Sequence, residues 1–167
     1  MTNTTDINRS DAEVVATGFN HVAVLTADLE RLVSFYRDVL GGEAVDVPVL
    51  PGALRAAAVR FGPSAALVVL EVESNPHAHG EGQDLRRGHL DHVGFDVPTV
   101  AALDAVRRRL VAAGASDGLV HDYGDLVTVG FTDPDGMESE VCWLRDPALR
   151  DLHHPVILEE LTEARGR

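Results

Sequence analysis

Hydrophobic periodicity in the first half of the chain predicts a strand, a helix and three further strands. Apolar residues alternate weakly around His21, which indicates a strand over residues 19–25. Apolar residues then recur every three or four positions from Leu29 to Leu40, as in an amphipathic helix, with Asp28 as its N-cap. Two glycines end this helix, and three strands are predicted after it, at residues 43–49, 54–61 and 65–73.

The second half of the chain repeats this order of elements. A strand over residues 89–97 leads into an amphipathic helix over residues 100–113, with Thr99 as its N-cap. Three strands follow, and a turn rich in Asp, Pro and Gly separates the last two; the strands are at residues 119–122, 126–132 and 137–144. The doubled pattern predicts an α+β fold made of two tandem βαβββ modules.

The two predicted modules span residues 18–73 and 89–145 and together form one domain. Three other segments lie outside the repeat: an N-terminal arm at residues 1–17, a polar linker at residues 74–88 and a C-terminal tail at residues 146–167. The regular pattern fades in the tail, where a short helix at residues 157–164 is the only element expected.

Composition narrows the class of protein. The formal net charge of −13 argues against electrostatic binding to nucleic acid or to an anionic membrane. Cys142 is the only cysteine, so an intrachain disulfide is excluded and a reducing cytoplasm is expected. The sequence has no apolar run of transmembrane length, and its polar N-terminus is unlike a signal peptide. These features predict a cytoplasmic globular protein.

A histidine and a glutamate recur at similar places in both predicted modules. His21 lies 50 positions before Glu71, and His92 lies 48 positions before Glu140. A lone histidine on a strand is more often a core residue, but a duplicated pair on equivalent strands favours a functional site. Two imidazoles and two carboxylates suit Zn, Ni, Co, Mn or Fe(II) better than a metal that seeks thiolates. The pattern therefore predicts one divalent metal ion per site.

Several neighbouring residues compete with these four. Glu73 is a rival to Glu71, and Glu138 is a rival to Glu140, because alternate residues of a strand share a face. The similar spacing of the two histidine–glutamate pairs favours Glu71 and Glu140. Five other histidines fit less well, since they occupy an opposite strand face, the linker or the tail: His89, His77, His79, His153 and His154.

Two more side chains are expected near the predicted site. Cys142 lies two positions after Glu140 on the same face, and we interpret it as a small buried apolar residue rather than a reactive thiol. Tyr123 is either an aromatic residue of a turn or a hydrogen-bond donor to a substrate oxygen.

Short motifs carry a resemblance to a known group of proteins. They are Asn20-His-Val-Ala-Val, Phe35-Tyr-Arg-Asp-Val-Leu-Gly, Asp91-His-Val-Gly-Phe and Asp133-Pro-Asp-Gly-Met-Glu-Ser-Glu. Over residues 18–145 the chain resembles the vicinal oxygen chelate superfamily, which includes glyoxalase I, methylmalonyl-CoA epimerase, extradiol ring-cleavage dioxygenases and bleomycin-binding proteins. The resemblance implies cupped mixed sheets that hold a metal through four residues, namely His21, Glu71, His92 and Glu140.

The resemblance leaves three functions open. The first is a lyase or isomerase of the glyoxalase or epimerase type, in which the metal stabilises an enediolate and Glu140 or Glu71 moves the proton. The second is an Fe(II) extradiol-type dioxygenase, which needs only His21, His92 and Glu140. The third is a metal-free antibiotic-binding resistance protein, which would lack the ligands. Glu71 would be surplus in the dioxygenase, so its presence favours the lyase or isomerase.

The resemblance also implies an assembly. A four-stranded open sheet exposes strand edges and an apolar face that need a partner. In the resembling family, paired modules commonly come from different protomers. We therefore expect a twofold homodimer in which His21 and Glu71 of one chain meet His92 and Glu140 of the other around a small-molecule substrate.

Overall fold

Two mixed β-sheets, each with one helix packed on it, make up the described part of the chain. The computed structural model describes residues 19–46, 55–72, 90–149, 151–159 and 161. The predicted arm, the predicted linker and the ends of some predicted strands lie outside these residues. Among the helices of the described segments, none is long and apolar enough to cross a membrane.

The first module has the predicted order of one strand, one helix and three strands. Its elements are β1 (His21–Thr26), α1 (Leu29–Asp38), β2 (Glu43–Asp46), β3 (Ala56–Phe61) and β4 (Ala65–Glu71). Strand β4 pairs parallel with β1 and antiparallel with β3, so the sheet order is β1-β4-β3-β2. Asp28 caps α1 as predicted, because its carboxylate accepts the backbone N–H of Arg31 at 3.0 Å.

The second module repeats this arrangement and adds one strand. Its elements are β5 (Val93–Asp96), α2 (Val100–Ala112), β6 (Val120–Gly124), β7 (Leu126–Thr132), β8 (Glu138–Leu144) and β9 (Leu152–Leu158). The sheet order is β5-β8-β7-β6-β9, with β5 parallel to β8. The prediction of an α+β fold with two tandem βαβββ modules is therefore confirmed.

The C-terminal tail corrects one expectation. Residues 157 and 158, where a helix was expected to begin, belong to β9, which pairs antiparallel with β6. The Asp125 carboxylate accepts the backbone N–H of Asp151 at 2.8 Å and holds the start of this strand. Gly124 allows the backbone of Asp151 to approach closely, since a Cβ at position 124 would lie 2.2 Å from the Asp151 carbonyl oxygen. The pattern was missed because the side chains of β9 are mostly exposed and do not alternate.

Alternation along the strands gives each sheet two distinct faces. In the first sheet, Leu67 and Val69 are buried on the face that α1 covers. In the second sheet, Val129 and Val141 are buried on the face that α2 covers. The opposite face of each sheet is called the open face below, and it carries most of the residues predicted to perform chemistry.

Five aromatic rings join the two modules in one core. Tyr36 of α1 lies 5.7 Å from Phe95 of β5, and Phe35 lies 6.0 Å from Phe131 of β7, measured between ring centroids. Phe61 of β3 meets Phe95 edge to face at 5.0 Å. Aromatic pairs of this kind contribute about 0.5–1.5 kcal/mol each beyond the burial of their surface. Helix α1 therefore packs against both modules.

A buried hydrogen bond reinforces this junction. Tyr36 has no exposed surface, and its hydroxyl donates to Asp133 Oδ2 at 3.0 Å. Asp133 Oδ1 also accepts the backbone N–H groups of Asp135 and Met137, and Arg31 of α1 forms an ion pair with Asp135. Burial raises the pKa of the Tyr36 hydroxyl well above its ordinary value, so the hydroxyl stays a donor. Burial also raises the pKa of Asp133, while the hydrogen bonds it accepts oppose that rise.

Replacing Tyr36 by Phe should destabilise the protein by about 1–3 kcal/mol, because the Asp133 carboxylate would stay buried with one donor fewer. Urea denaturation followed by circular dichroism measures this change. Tyr123→Phe is the matched control, since the Tyr123 hydroxyl makes no hydrogen bond to another described residue, and we expect a change below about 0.5 kcal/mol. Equal stability of Tyr36→Phe and the wild type would contradict the role given to this bond.

The destabilisation should also depend on pH. Losing the hydroxyl raises the pKa of Asp133 further, so ionising this carboxyl costs the folded variant more than the wild type. The difference in stability should be largest at the high-pH end of the range, where the Asp133 carboxyl is ionised in both proteins. It should shrink as the pH falls and the carboxyl becomes protonated.

Candidate metal centre

The second module brings His92 and Glu140 together on its open face. His92 directly precedes β5, and Gly94 of β5 pairs with Glu140 of β8. Because alternate residues share a face, this register puts the two side chains on the same side of the sheet. His92 Nε2 lies 3.7 Å from Glu140 Oε2. The predicted pairing of these two residues is therefore present in the structure.

Asp91, the residue before His92, determines whether Nδ1 of His92 donates or accepts a hydrogen bond. Nδ1 of His92 lies 2.7 Å from the carboxylate of Asp91. An ionised carboxylate only accepts hydrogen bonds, so Nδ1 of His92 must carry a proton. In the neutral ring Nε2 then holds a lone pair, and this lone pair faces Glu140. Two electron-rich atoms at this separation favour a cation between them.

His21 has a similar arrangement in the first module. It lies on β1 with its side chain exposed on the open face, and its Nδ1 is 3.0 Å from Asn20 Oδ1. Asn20 and Asp91 belong to the sequence motifs but not to the predicted ligand set. The signal was present, because in both repeats a side chain with an oxygen acceptor precedes the histidine.

Glu71 is not placed on the face of His21, which corrects the orientation expected for it. His21 pairs with Ala66 and Thr26 pairs with Glu71, so Glu71 shares the helix-covered face with the buried Thr26. Its carboxylate accepts the backbone N–H of Leu29 at the start of α1 at 3.1 Å. It also forms an ion pair with Arg55 at 3.0 Å. These contacts assign Glu71 to the N-terminus of the helix.

Register explains why the two glutamates differ. In the second sheet Gly94, two residues after His92, pairs with Glu140. In the first sheet Ala23, two residues after His21, pairs with Val68. Val68 therefore holds the position in β4 that Glu140 holds in β8, although the distance along the chain pointed to Glu71.

The described residues hold only part of the predicted ligand set in one place. Within residues 19–46, 55–72, 90–149, 151–159 and 161, no group of three His, Cys, Asp or Glu side chains lies close enough to bind one metal ion. His21 is thus separate from the His92–Glu140 pair in a single chain. Of the rival residues, some lie outside the described part of the chain, namely Glu73, His77, His79 and His89.

Polar and apolar neighbours position Glu140 on the open face. Thr128 is fully buried, and its hydroxyl donates to Glu140 Oε1 at 3.4 Å. The Cys142 sulfur lies 4.0 Å from Glu140 Oε2. Burial, followed by the nearby charge of Glu140, raises the pKa of the Cys142 thiol to about 12. The thiol is therefore protonated at neutral pH, in agreement with a packing role for Cys142.

The donor atoms fit a divalent metal ion. Imidazole nitrogens and a carboxylate oxygen form a set that Zn, Ni, Co, Mn and Fe(II) accept. Each histidine has an oxygen atom near Nδ1, as metal-binding histidines usually do, and its Nε2 is the nitrogen that would bind a metal. His92, Glu140 and His21 are the residues that would hold the ion, provided that His21 comes from a surface facing the pair.

A cleft between the modules lies beside His21. Its volume is about 870 Å³, and it runs between the start of β1 and the edge strand β5. Most of its lining is apolar, including Phe61 and Phe95, and Arg109 of α2 adds a cation at its wall. A cleft of this size holds a small organic molecule.

Comparison with known proteins identifies the family of the chain. A sequence model of the Glyoxalase/Bleomycin resistance protein/Dioxygenase superfamily matches residues 18–141. The chain belongs to this superfamily, which confirms the resemblance drawn from its motifs.

One individual relative matches only part of the chain. Mitochondrial methylmalonyl-CoA epimerase of Mus musculus is 34% identical over 84 residues, which are 50% of this chain and 47% of that protein. The matched region is thus about half the length of this relative.

Solved structures of the same fold include two bacterial proteins. A glyoxylase/bleomycin resistance protein/dioxygenase domain from Frankia sp. EAN1pec has a TM-score of 0.65 and 21% identity, covering 77% of this chain and 98% of that chain. Lactoylglutathione lyase from Agrobacterium tumefaciens has a TM-score of 0.51 and 22% identity, covering 77% and 95%. At these identities the likeness shows the fold alone.

Glu71→Gln and Glu140→Gln form a matched pair that tests the position of Glu71. Glu71→Gln should lower stability by roughly 1 kcal/mol, because it removes a charge from the N-terminus of α1 and from Arg55, and should leave metal affinity unchanged. Glu140→Gln should weaken metal binding with little loss of stability. Urea denaturation and calorimetric metal titration measure both properties. Equal loss of metal affinity in the two variants would restore Glu71 as the fourth ligand.

Proposed function

We propose that the protein is a divalent-metal-dependent lyase or isomerase of the glyoxalase or epimerase type. Its substrate would be a small molecule with two neighbouring oxygens and an acidic C–H bond. The observation that carries the proposal is the His92–Glu140 pair on the open face, with Nε2 and Oε2 3.7 Å apart and Nδ1 held by Asp91. This pair offers a metal-binding nitrogen beside a carboxylate that can move a proton.

The chemistry divides between the metal and the side chains. When bound, a divalent metal ion supplies Lewis acidity that makes the C–H bond next to a carbonyl more acidic. His92 and His21 hold ligand nitrogens in place, and Glu140 takes the proton and returns it at another position. Thr128 orients the Glu140 carboxylate through Oε1 at 3.4 Å, and Oε2 faces His92.

The relatives support this reaction class without defining the substrate. The protein from Mus musculus that matches over 84 residues is named an epimerase, and the structural relative from Agrobacterium tumefaciens is named a lactoylglutathione lyase. The mainly apolar cleft beside His21 is large enough for the organic part of a thioester or thiol adduct. Arg109 offers a positive charge for an acidic group of such a molecule.

A second candidate is an Fe(II) extradiol-type ring-cleavage dioxygenase. The orientation of Glu71 favours it, because without Glu71 the predicted ligands are two histidines and one carboxylate. That set leaves coordination positions open for a substrate and dioxygen. The lyase or isomerase remains the first proposal, since the relatives from Mus musculus and Agrobacterium tumefaciens are named an epimerase and a lyase.

The site is proposed to lie between two chains. His21 does not join His92 and Glu140 in the described part of one chain, so a second chain is the source of the missing nitrogen. Among the described strands, β1 and β5 both lie at the edges of their sheets, and such an edge favours contact with a partner. A twofold homodimer would place His21 of each chain opposite the His92–Glu140 pair of the other.

Metal content tests the proposed function directly. The purified protein should retain or bind about one divalent ion per chain, because two such sites form per dimer. Elemental analysis after dialysis and calorimetric titration of the apoprotein measure this. His92→Ala should weaken binding at least tenfold, whereas His154→Ala, an exposed histidine on β9, should not. Wild-type affinity weaker than about millimolar would leave only the metal-free binding function.

The identity of the metal separates the two candidate enzymes. Nickel, cobalt, zinc or manganese, with exchange of a substrate C–H for solvent deuterium, supports the lyase or isomerase. A 2-oxoaldehyde thiol adduct and a branched acyl thioester are suitable substrates for this assay. Iron together with ring cleavage of a catechol supports the dioxygenase instead.

Subunit mixing tests the shared site. His21→Ala and His92→Ala should each be inactive, and unfolding and refolding them together should restore part of the activity. Each heterodimer then contains one site without either histidine and one complete site. Each variant refolded by itself is the control. Absence of rescue, with heterodimers shown by mass spectrometry, would place each site within one chain.

A further inference from the structure

We infer that Asp91 is a positioning residue that holds His92 in the tautomer with its proton on Nδ1 and its lone pair on Nε2, and that Asn20 does not impose this tautomer on His21. The inference rests on the proposed function in one respect only, namely that Nε2 is the atom that binds the metal. It concerns the hydrogen bonds of the metal-free protein, so it is testable without any metal.

The contrast depends on the chemistry of the two partners. Asp91 lies 2.7 Å from Nδ1 of His92, and a carboxylate accepts hydrogen bonds but donates none. Asn20 lies 3.0 Å from Nδ1 of His21, and an amide carries both an acceptor oxygen and a donor NH2 group. Rotation of the amide therefore satisfies either tautomer of His21, whereas Asp91 satisfies only one tautomer of neutral His92.

The position of Glu140 makes this difference important. With Nδ1 protonated, the Nε2 lone pair of His92 faces Glu140 Oε2 at 3.7 Å. The opposite tautomer would place an N–H group there, which would donate towards Glu140 and block the nitrogen from a metal. Asp91 thus keeps the Nε2 lone pair of His92, rather than an N–H group, directed towards the place that a metal would occupy beside Glu140.

The two modules therefore make unequal contributions to the site. The second module supplies the carboxylate and a histidine whose ligand nitrogen is ready for a metal. The first module supplies a histidine that adopts the required tautomer only when the metal binds. Assembly would begin at His92 and Glu140, and His21 would complete it.

Nitrogen-15 NMR of the metal-free protein measures the tautomers, at a pH near 9 where imidazole is neutral. In the wild type we expect His92 with its proton on Nδ1 alone and His21 as a mixture. Asp91→Asn should convert His92 to a mixture, and the reciprocal variant Asn20→Asp should give His21 the single tautomer. An unchanged His92 in Asp91→Asn would overturn the inference, as would a wild-type His92 protonated on Nε2.

Metal affinity is the second measurement. Asp91→Asn should bind metal about 10–100-fold more weakly. Asp96→Asn is the charge-matched control, because Asp96 is an exposed aspartate of β5 with the same formal charge, and it should change affinity less than about threefold. Equal losses in both variants would show that Asp91 acts only by its charge and would overturn the positioning role. A wild type that binds no metal would refute the proposed function, while the NMR comparison would still decide this inference.

Discussion

The hydrogen bond between the Tyr36 hydroxyl and the Asp133 carboxylate is the buried contact at which the two modules become one structure. Both groups are almost inaccessible to water, so neither can be left without a partner at small cost. The bond requires α1 of the first module to lie against the β7–β8 turn of the second. The aromatic rings around it then fill the space between the sheets. The Tyr36–Asp133 bond and these rings therefore keep the helix-covered faces of both sheets in the core.

The open faces are what remains for chemistry, and strand register decides which side chains reach them. The parallel pairs β1–β4 and β5–β8 have the same topology but different consequences. In the second sheet the register brings Glu140 to the side of His92. In the first sheet it brings Val68 to the equivalent position and turns Glu71 towards α1, where a carboxylate is stabilised by the free backbone N–H groups of the helix.

The repeat is therefore symmetric in fold and asymmetric in chemistry. The second module holds a histidine, a carboxylate and the aspartate that fixes the histidine tautomer. The first module holds one histidine beside an amide, next to a mainly apolar cleft. Such a division suits an enzyme in which one module carries most of the reactive groups and the other contributes a single ligand and substrate contacts. It also explains why a single chain lacks a complete ligand set among its described residues.

The sequence by itself determined the order of the elements, the caps Asp28 and Thr99, and the superfamily, because periodicity and capping are local properties of the chain. It also singled out His92 and Glu140. The same reasoning placed Glu71 beside His21, and there only the tertiary structure decided. The number of residues between two strands does not give their register, because a helix and several turns lie between them. Only the pairing across the sheet determines which residues share a face. Strand β9 was hidden for a related reason: backbone pairing with β6 and the contact between Gly124 and Asp151 hold it, and neither leaves an alternating pattern in the sequence.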